Sequence, residues 1–344
     1  VSLVPEWPRL GVHGFGRIGR AIIRASLSQR RAYVCAINEK HPDDANLLYL
    51  LKYDSVYGRL SHKIAHDGPV WVVGDMVMTR HDATNIDDVP WAAAGAEVVI
   101  DASGQGSRRQ YERVLRSGIR VVLVTRQFEQ ADRTCIPGVD DHVDGPLSGV
   151  VSTSTCDANA LALVMDKLRP FGPGEGSVTT LHPWLGEQAL LDRPAASGVP
   201  AEYGLGRSAP VNLIPKSTSA ARAAATVVPE AALLYAMSFR TPTHSVSCLD
   251  LTLRLTGAAD RLSTRELNQL YLRSSTERSP LQYSTDPLVS SDLVGTSAGA
   301  VVDGRWTRRL SRDLFKVVAW YDNEFGYASQ VLRAAQRTCG AAYE

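Results

Sequence analysis

The sequence predicts an α/β protein in two parts. A doubly wound parallel sheet covers about residues 1–155, and an α+β domain with a mixed sheet covers 156–323. Three observations predict this. Short apolar strands alternate with helical segments through the first 150 residues. Longer alternating runs replace them afterwards. The chain has 344 residues, too many for one ordinary domain and comfortable for two.

The elements follow in order. "RLGVHGFGRIGRAIIRASL" opens as a strand, turns on glycines and continues as a helix. "AYVCAINEK" is the second strand, and "AEVVIDASG" and "IRVVLVT" are two more β-branched runs with helical or loop segments between them. "VVSTSTCDANALALVMDKL" begins β-branched and passes into an amphipathic helical pattern from about Cys156. "SVTTLHPW", "AMSFRTPTHSVSCLDLTLRL" and "LFKVVAWYDNEFG" then read as strands of the second sheet. The stretch from Arg193 to Pro210 is rich in Gly, Pro, Ala and Ser, which predicts a long irregular loop.

Composition narrows the function. Hydrophobic residues make up 44%, enough for a large core, and 37 basic against 36 acidic side chains leave a net charge of +1. That balance argues against a global pull toward nucleic acid or an anionic membrane. No apolar stretch approaches the ~18–20 residues that span a bilayer. The opening "VSLVPEWPRL" lacks a basic segment followed by an apolar one, so no secretory leader is expected. Cys35, Cys135, Cys156, Cys248 and Cys339 are odd in number and widely spaced, with no CxxC. A reduced, cytoplasmic protein with neither a disulfide framework nor a metal site is expected.

Gly14, Gly16 and Gly19 form G-x-G-x-x-G between a strand and a helix. The first glycine permits the tight turn, the second lets backbone approach a pyrophosphate, and the third allows close packing of helix on strand. Glu39 ends the second strand 20 residues after Gly19, where a carboxylate accepts hydrogen bonds from both ribose hydroxyls. The same carboxylate repels a 2′-phosphate, so NAD is expected over NADP, with Lys40 opposing that preference.

A free cysteine is most often a small buried hydrophobe. The position of Cys156 gives it a second reading. Thr155 is a plausible N-cap, and a thiol in a helix's first turn feels the positive end of the macrodipole, which lowers its pKa. A cysteine nucleophile also needs a base. His182, between "SVTTL" and "PWLGEQALLD", is the candidate, although a histidine at a strand end is more often structural.

These residues carry a resemblance. "GVHGFGRIGR", "LLKYDSVYGRL", "STSTCDAN", "NLIPKSTSAARA", "SFRTPT" and "VVAWYDNEFGYASQV" resemble, in order, successive motifs of the glyceraldehyde-3-phosphate dehydrogenase family. The resemblance implies a Rossmann NAD-binding domain, rejoined by a C-terminal helix over 324–344, and a catalytic domain between. It implies Cys156 as nucleophile and His182 as base. It places Gly14, Phe15, Gly16, Arg17, Ile18, Gly19, Asn38, Glu39, Ser103, Thr125, Asn323 and Tyr327 at the NAD site, with Asn323 fixing the nicotinamide carboxamide. Thr155, Asp157, Thr218, Ser219 and Arg240 fall on the substrate side. The partners implied are an anionic aldehyde, inorganic phosphate and further copies of the chain in a homotetramer.

Departures from the family pattern concentrate near the anion sites. Asp157 and Leu185 stand where the family has threonines, Ser219 replaces a glycine, and His13 replaces an asparagine. Glu187 occupies a position that is acidic in many bacterial members. The loop from Asp192 to Pro215 is about five residues longer than is common and keeps only Arg207 of a basic cluster. Asp157 has two readings. As a helix-end acid it gains about 0.3–1 kcal/mol from the dipole. Facing the site, a unit charge ~4 Å from another costs about 4 kcal/mol at an effective dielectric of ~20. That exceeds one lost hydroxyl hydrogen bond of ~0.5–1.5 kcal/mol.

The sequence therefore leaves alternative functional readings open. The first is a phosphorylating dehydrogenase of glyceraldehyde 3-phosphate. The second is a paralogue that oxidises another aldehyde, such as erythrose 4-phosphate, and releases the acyl group to water. A third is a family member retained for binding or regulation, against which the intact Cys156, His182 and Asn323 argue. A semialdehyde reductase shares the chemistry, and "WYDNEFGY" argues against it.

Overall fold

The computed structural model describes residues 7–139, 145–196, 199–257 and 262–339. The expected terminal helix therefore runs beyond the described residues at 340–344, and residues 197 and 198 of the long loop lie outside them too. The chain divides into two compact units, Val1–Ser154 with Ala328–Glu344, and Thr155–Tyr327.

The first unit is built on a nine-stranded sheet. Its strands are β1 (Arg9–His13), β2 (Tyr33–Asn38), β5 (Ile64–Asp67), β6 (Val70–Val73), β7 (Met76–His81), β8 (Val98–Asp101), β9 (Val121–Val124), β10 (Arg133–Thr134) and β11 (Gly149–Ser152). Between β2 and β5, a separate ladder joins β3 (Tyr53–Asp54) to β4 (Gly58–Arg59). The order across the large sheet is β10-β11-β9-β8-β1-β2-β7-β6-β5. The strands from β10 to β7 pair in parallel. Helices α1 (Arg17–Gln29), α2 (Asp44–Lys52) and α3 (Arg108–Arg116) provide crossovers. β1, β8 and β9 are almost wholly buried, as expected of parallel strands covered on both faces.

One edge departs from the expectation. Residues 64–81, read as helix or loop, form an antiparallel meander. Trp71, Val73, Met76 and Met78 are buried at period two while Val70 and Val77 are exposed, and Gly74 makes the turn at φ +65°.

The second unit carries an eight-stranded mixed sheet. Its strands are β12 (Pro173–Pro183), β13 (Ile214–Ser217), β14 (Leu234–Thr241), β15 (Ser247–Leu255), β16 (Leu281–Ser284), β17 (Ala300–Asp303), β18 (Arg308–Arg309) and β19 (Leu314–Tyr321). β12 pairs in parallel with β14 and antiparallel with β15, and β15 is antiparallel to β19. α4 (Cys156–Leu168) packs on this sheet, with α5 (Ala220–Ala224) and α6 (Thr264–Ser274) alongside. The pattern of α4 read as amphipathic, but residues 157–165 are all buried. Small alanines let neighbours approach the face that would otherwise meet solvent. The loop after β12 is irregular as expected, with 3₁₀ turns at Pro200–Gly206 and Ala209–Val211.

Helix α7 (Phe325–Gln336) begins in the second unit and ends in the first. Within the first unit, Gln29 Nε2 donates to Ser329 Oγ at 2.7 Å, and Arg120 Nη1 donates to the Thr338 carbonyl at 2.9 Å. Among the described residues, no helix is long and apolar enough to cross a membrane.

Candidate active site

The glycine loop is built as its motif requires. Gly14 sits at φ +96°, and a Cβ there would lie 2.8 Å from the Ser103 nitrogen. A Cβ on Gly19 would lie 2.0 Å from the Gly14 carbonyl oxygen. Gly16 is the N-cap of α1, offers no side-chain cap, and its missing Cβ faces open space. Gly14 and Gly16 border a cavity of about 230 Å³, lined also by His13, Phe15, Asn38, Glu39, Lys40, Ala102, Ser103 and Gln105. An open cradle against the uncapped helix N-terminus fits a dinucleotide pyrophosphate.

The remaining cofactor candidates divide. Phe15 donates its backbone N–H to Glu39 Oε2 at 2.9 Å while its ring packs edge-on against Trp71. Asn38 spends its amide inside the protein, donating to His13 Nδ1 and the Ala83 carbonyl and accepting from the Ala83 N–H. It therefore holds the loop after β2. Burial keeps the pKa of His13 below the ordinary histidine value. Arg17, Ile18, Gly19 and Thr125 lie outside the cavity wall. Arg17 pairs with Asp54 at 2.5 Å, and Thr125 donates to the Asp101 carbonyl at 2.9 Å. In the second unit, Asn323 and Tyr327 are buried, and the Asn323 Oδ1 has no hydrogen-bond partner.

The second site forms where β11 hands over to α4. Ser154 turns the chain at φ +59°, and Thr155 caps α4 by accepting the Ala158 N–H at 3.2 Å. This places Cys156 in the first turn, half-buried on the wall of a cavity of about 640 Å³. Strand register supplies the facing wall. In β12 and β14, His182 lies beside Arg240, and Lys216 of β13 lies beside Ser238. Thr155, Asp157, Leu185, Thr218, Ser219 and Arg222 complete the lining. The structure thus brings every substrate-side candidate to one cavity with both catalytic candidates.

Cys156 Sγ lies 3.6 Å from His182 Nε2. His182 Nδ1 lies 2.7 Å from the Pro183 carbonyl oxygen, which can only accept, so Nδ1 carries the proton. In the neutral ring, Nε2 is then a bare acceptor facing the thiol. Burial, reinforced by the Arg240 guanidinium, keeps the His182 pKa below its ordinary value despite the Asp157 carboxylate.

Asp157 faces the site. Its Oδ1 accepts the Cys156 thiol at 3.4 Å and the Tyr321 hydroxyl at 2.8 Å, and lies 3.8 Å from His182 Nε2. The expected dipole lowering of the thiol pKa is therefore overturned. Burial and then the Asp157 carboxylate push it well above the ordinary cysteine value, against the Asp157 N–H and Arg240. Tyr321, Lys216 and Arg222 were given no role from sequence. The partner of a buried tyrosine hydroxyl is set by strand register, which local pattern does not carry. Burial, then Arg240, lowers the Lys216 pKa, and the Arg240 Nε is buried without a partner.

Fold and motifs define the class: an NAD-binding Rossmann domain joined to a mixed-sheet domain, as in cysteine-dependent dehydrogenases of this architecture. Residues 8–109 match the model of the glyceraldehyde 3-phosphate dehydrogenase NAD binding domain, and residues 155–323 match that of the C-terminal domain. Glyceraldehyde-3-phosphate dehydrogenase of Echinococcus multilocularis is 32% identical over 94% of this chain and 96% of that protein. Glyceraldehyde-3-phosphate dehydrogenase 2 of Nostoc sp. is 35% identical over 95% and 97%. The cytosolic enzyme of Sinapis alba is 32% identical over 94% and 96%. The chain belongs to the glyceraldehyde-3-phosphate dehydrogenase family of oxidoreductases, with NAD as its cofactor.

Proposed function

We propose that the protein oxidises an anionic aldehyde with NAD through a covalent adduct on Cys156, with glyceraldehyde 3-phosphate as the substrate its relatives indicate. The observation that carries this reading is the bare Nε2 of His182 at 3.6 Å from the Cys156 sulfur. His182 takes the thiol proton as sulfur attacks the carbonyl carbon and returns it to the new alkoxide oxygen, giving a thiohemiacetal. It then holds the hydroxyl proton of that adduct while the carbon is oxidised to a thioester. NAD, when bound, accepts the hydride. Gly14, Gly16 and Glu39 would hold its adenosine and pyrophosphate, and the orphaned Asn323 Oδ1 suits a carboxamide N–H. Lys216, Arg222 and Arg240 offer three cations to the substrate's phosphate. The reading includes a glycolytic role, a cytoplasmic location and a homotetramer, with the first unit as NAD-binding domain and the second as catalytic domain.

A second reading concerns the last step. Inorganic phosphate would release the acyl group in the phosphorylating enzyme. Asp157, held toward the sulfur by Tyr321, repels an attacking phosphate and favours water instead. The test is NADH formation from phosphorylated and unphosphorylated aldehydes, with and without phosphate, followed by product analysis. Phosphate-dependent acyl phosphate establishes the first reading. Phosphate-independent free acid establishes the second. No NADH from any aldehyde with the reduced protein sinks both, as would a Cys156→Ser variant that keeps substantial activity.

A further inference from the structure

We propose that Cys156, Asp157 and His182 together form a tridentate site for a borderline divalent metal ion, zinc above all, whose binding takes the thiol out of action. The sequence predicts no metal site because the usual signals are spacing patterns of cysteine and histidine. Here two adjacent ligands come from the first turn of α4 and the third from the end of β12, and only the fold joins them.

The geometry is that of one face of a tetrahedron. The three donor atoms stand 3.6 Å (Sγ to Nε2), 3.4 Å (Sγ to Oδ1) and 3.8 Å (Nε2 to Oδ1) apart. Tetrahedral zinc with ordinary bonds to sulfur, nitrogen and oxygen sets such edges at about 3.3–3.6 Å, so each needs to move by no more than about half an ångström.

The protonation states also fit. A metal needs the imidazole neutral with one nitrogen bare, and the Pro183 carbonyl fixes that tautomer. A backbone carbonyl on the far ring nitrogen and a hydroxyl on the ligating carboxylate are the outer contacts that orient metal ligands. Tyr321 supplies the second of these to Asp157 Oδ1 at 2.8 Å.

Charge completes the case. The thiol releases its proton to solvent as the metal–sulfur bond forms, so thiolate and carboxylate together neutralise a divalent ion. Lys216, Arg222 and Arg240 line the same cavity and oppose a cation, which makes both anions necessary. Thiolate and imidazole select zinc, or cobalt as its probe, over magnesium and calcium. The fourth position faces the open cavity and is left to water. Coordination draws electron density from the sulfur onto the metal and so takes away its power to attack a carbonyl carbon.

The metal site stands independently of the proposed function, and the loss of activity rests on the role proposed for Cys156. The experiment separates them. The reduced full-length protein is titrated with Co²⁺ in the absence of substrate. One ion per chain is expected, with a thiolate-to-cobalt charge-transfer band, tetrahedral visible absorption, and displacement by Zn²⁺. Cys156→Ser should lose the charge-transfer band. Asp157→Ala should weaken binding at least ~10-fold, and Tyr321→Phe should weaken it less while keeping the band. An Asp157→Ala variant that binds as tightly as the wild type overturns the tridentate site, as does a stoichiometric titration without the band. Zn²⁺ should then abolish NADH formation, with recovery on chelation. Stoichiometric zinc without inhibition would overturn the loss of activity and the nucleophile assignment while leaving the site.

Discussion

At the scale of single residues, the direction of one carboxylate sets the surroundings of the thiol. Asp157 competes with His182 for the thiol proton, and both acceptors lie within 3.6 Å of the sulfur. Because burial and Asp157 hold the thiol pKa up, alkylation of Cys156 in the free enzyme should accelerate only as pH rises above the range of an ordinary thiol. Asp157→Ala removes the anion, so its alkylation profile should move to lower pH. Peptide mapping after iodoacetamide treatment across a pH series checks both. Cys35, Cys135 and Cys248 are buried, whereas Cys156 is half-buried on the wall of the open cavity, so Cys156 should label ahead of them. Coincident profiles for wild type and variant would show that Asp157 does not govern the thiol. The sequence places Cys156 and Thr155 well, because a cap followed by an apolar period is a local signal. It left open which way Asp157 points, because both readings place it in the same helical turn. Tyr321, which settles the matter, lies 164 residues away along the chain.

Among the elements, the turn from β1 into α1 separates two uses of glycine. Gly19 is needed for packing, since its Cβ would meet the Gly14 carbonyl, whereas Gly16 borders open space. Gly19→Ala should therefore cost about 3 kcal/mol of stability by overpacking. Gly16→Ala should stay within about 1 kcal/mol of wild type and still lose NAD affinity, because the methyl group enters the cradle. Thermal melting with NAD titration monitors the two quantities separately; equal melting losses would contradict the division. The parallel core of the first sheet was legible from its apolar strands. The meander of β5, β6 and β7 was missed because its short strands have one exposed face and sit among turns, where period two is hard to tell from loop. The all-round burial of α4 was missed because alanine fits either side of an amphipathic pattern.

At the scale of the whole molecule, the first unit is discontinuous and is completed by the last helix. Val331, Leu332, Ala334 and Ala335 of α7 are fully buried. Burying a valine or leucine contributes ~1.5–3 kcal/mol, against a total stability of roughly 5–15 kcal/mol. A chain ending at Tyr327 should keep the protected amides of the second unit and lose those of the first, together with NAD binding. Hydrogen exchange on the shortened protein tests this, and unchanged protection over residues 7–139 would refute it. The same discontinuity sets an order in the cell. Ribosomes deliver chains from the N-terminus, and domains ordinarily close in that sequence. Here the contiguous stretch 155–327 can close as soon as it emerges, while the earlier stretch waits for the final helix. At ordinary translation rates that wait is on the order of ten to thirty seconds. During it, the open strands of the nucleotide-binding half are what a chaperone would meet.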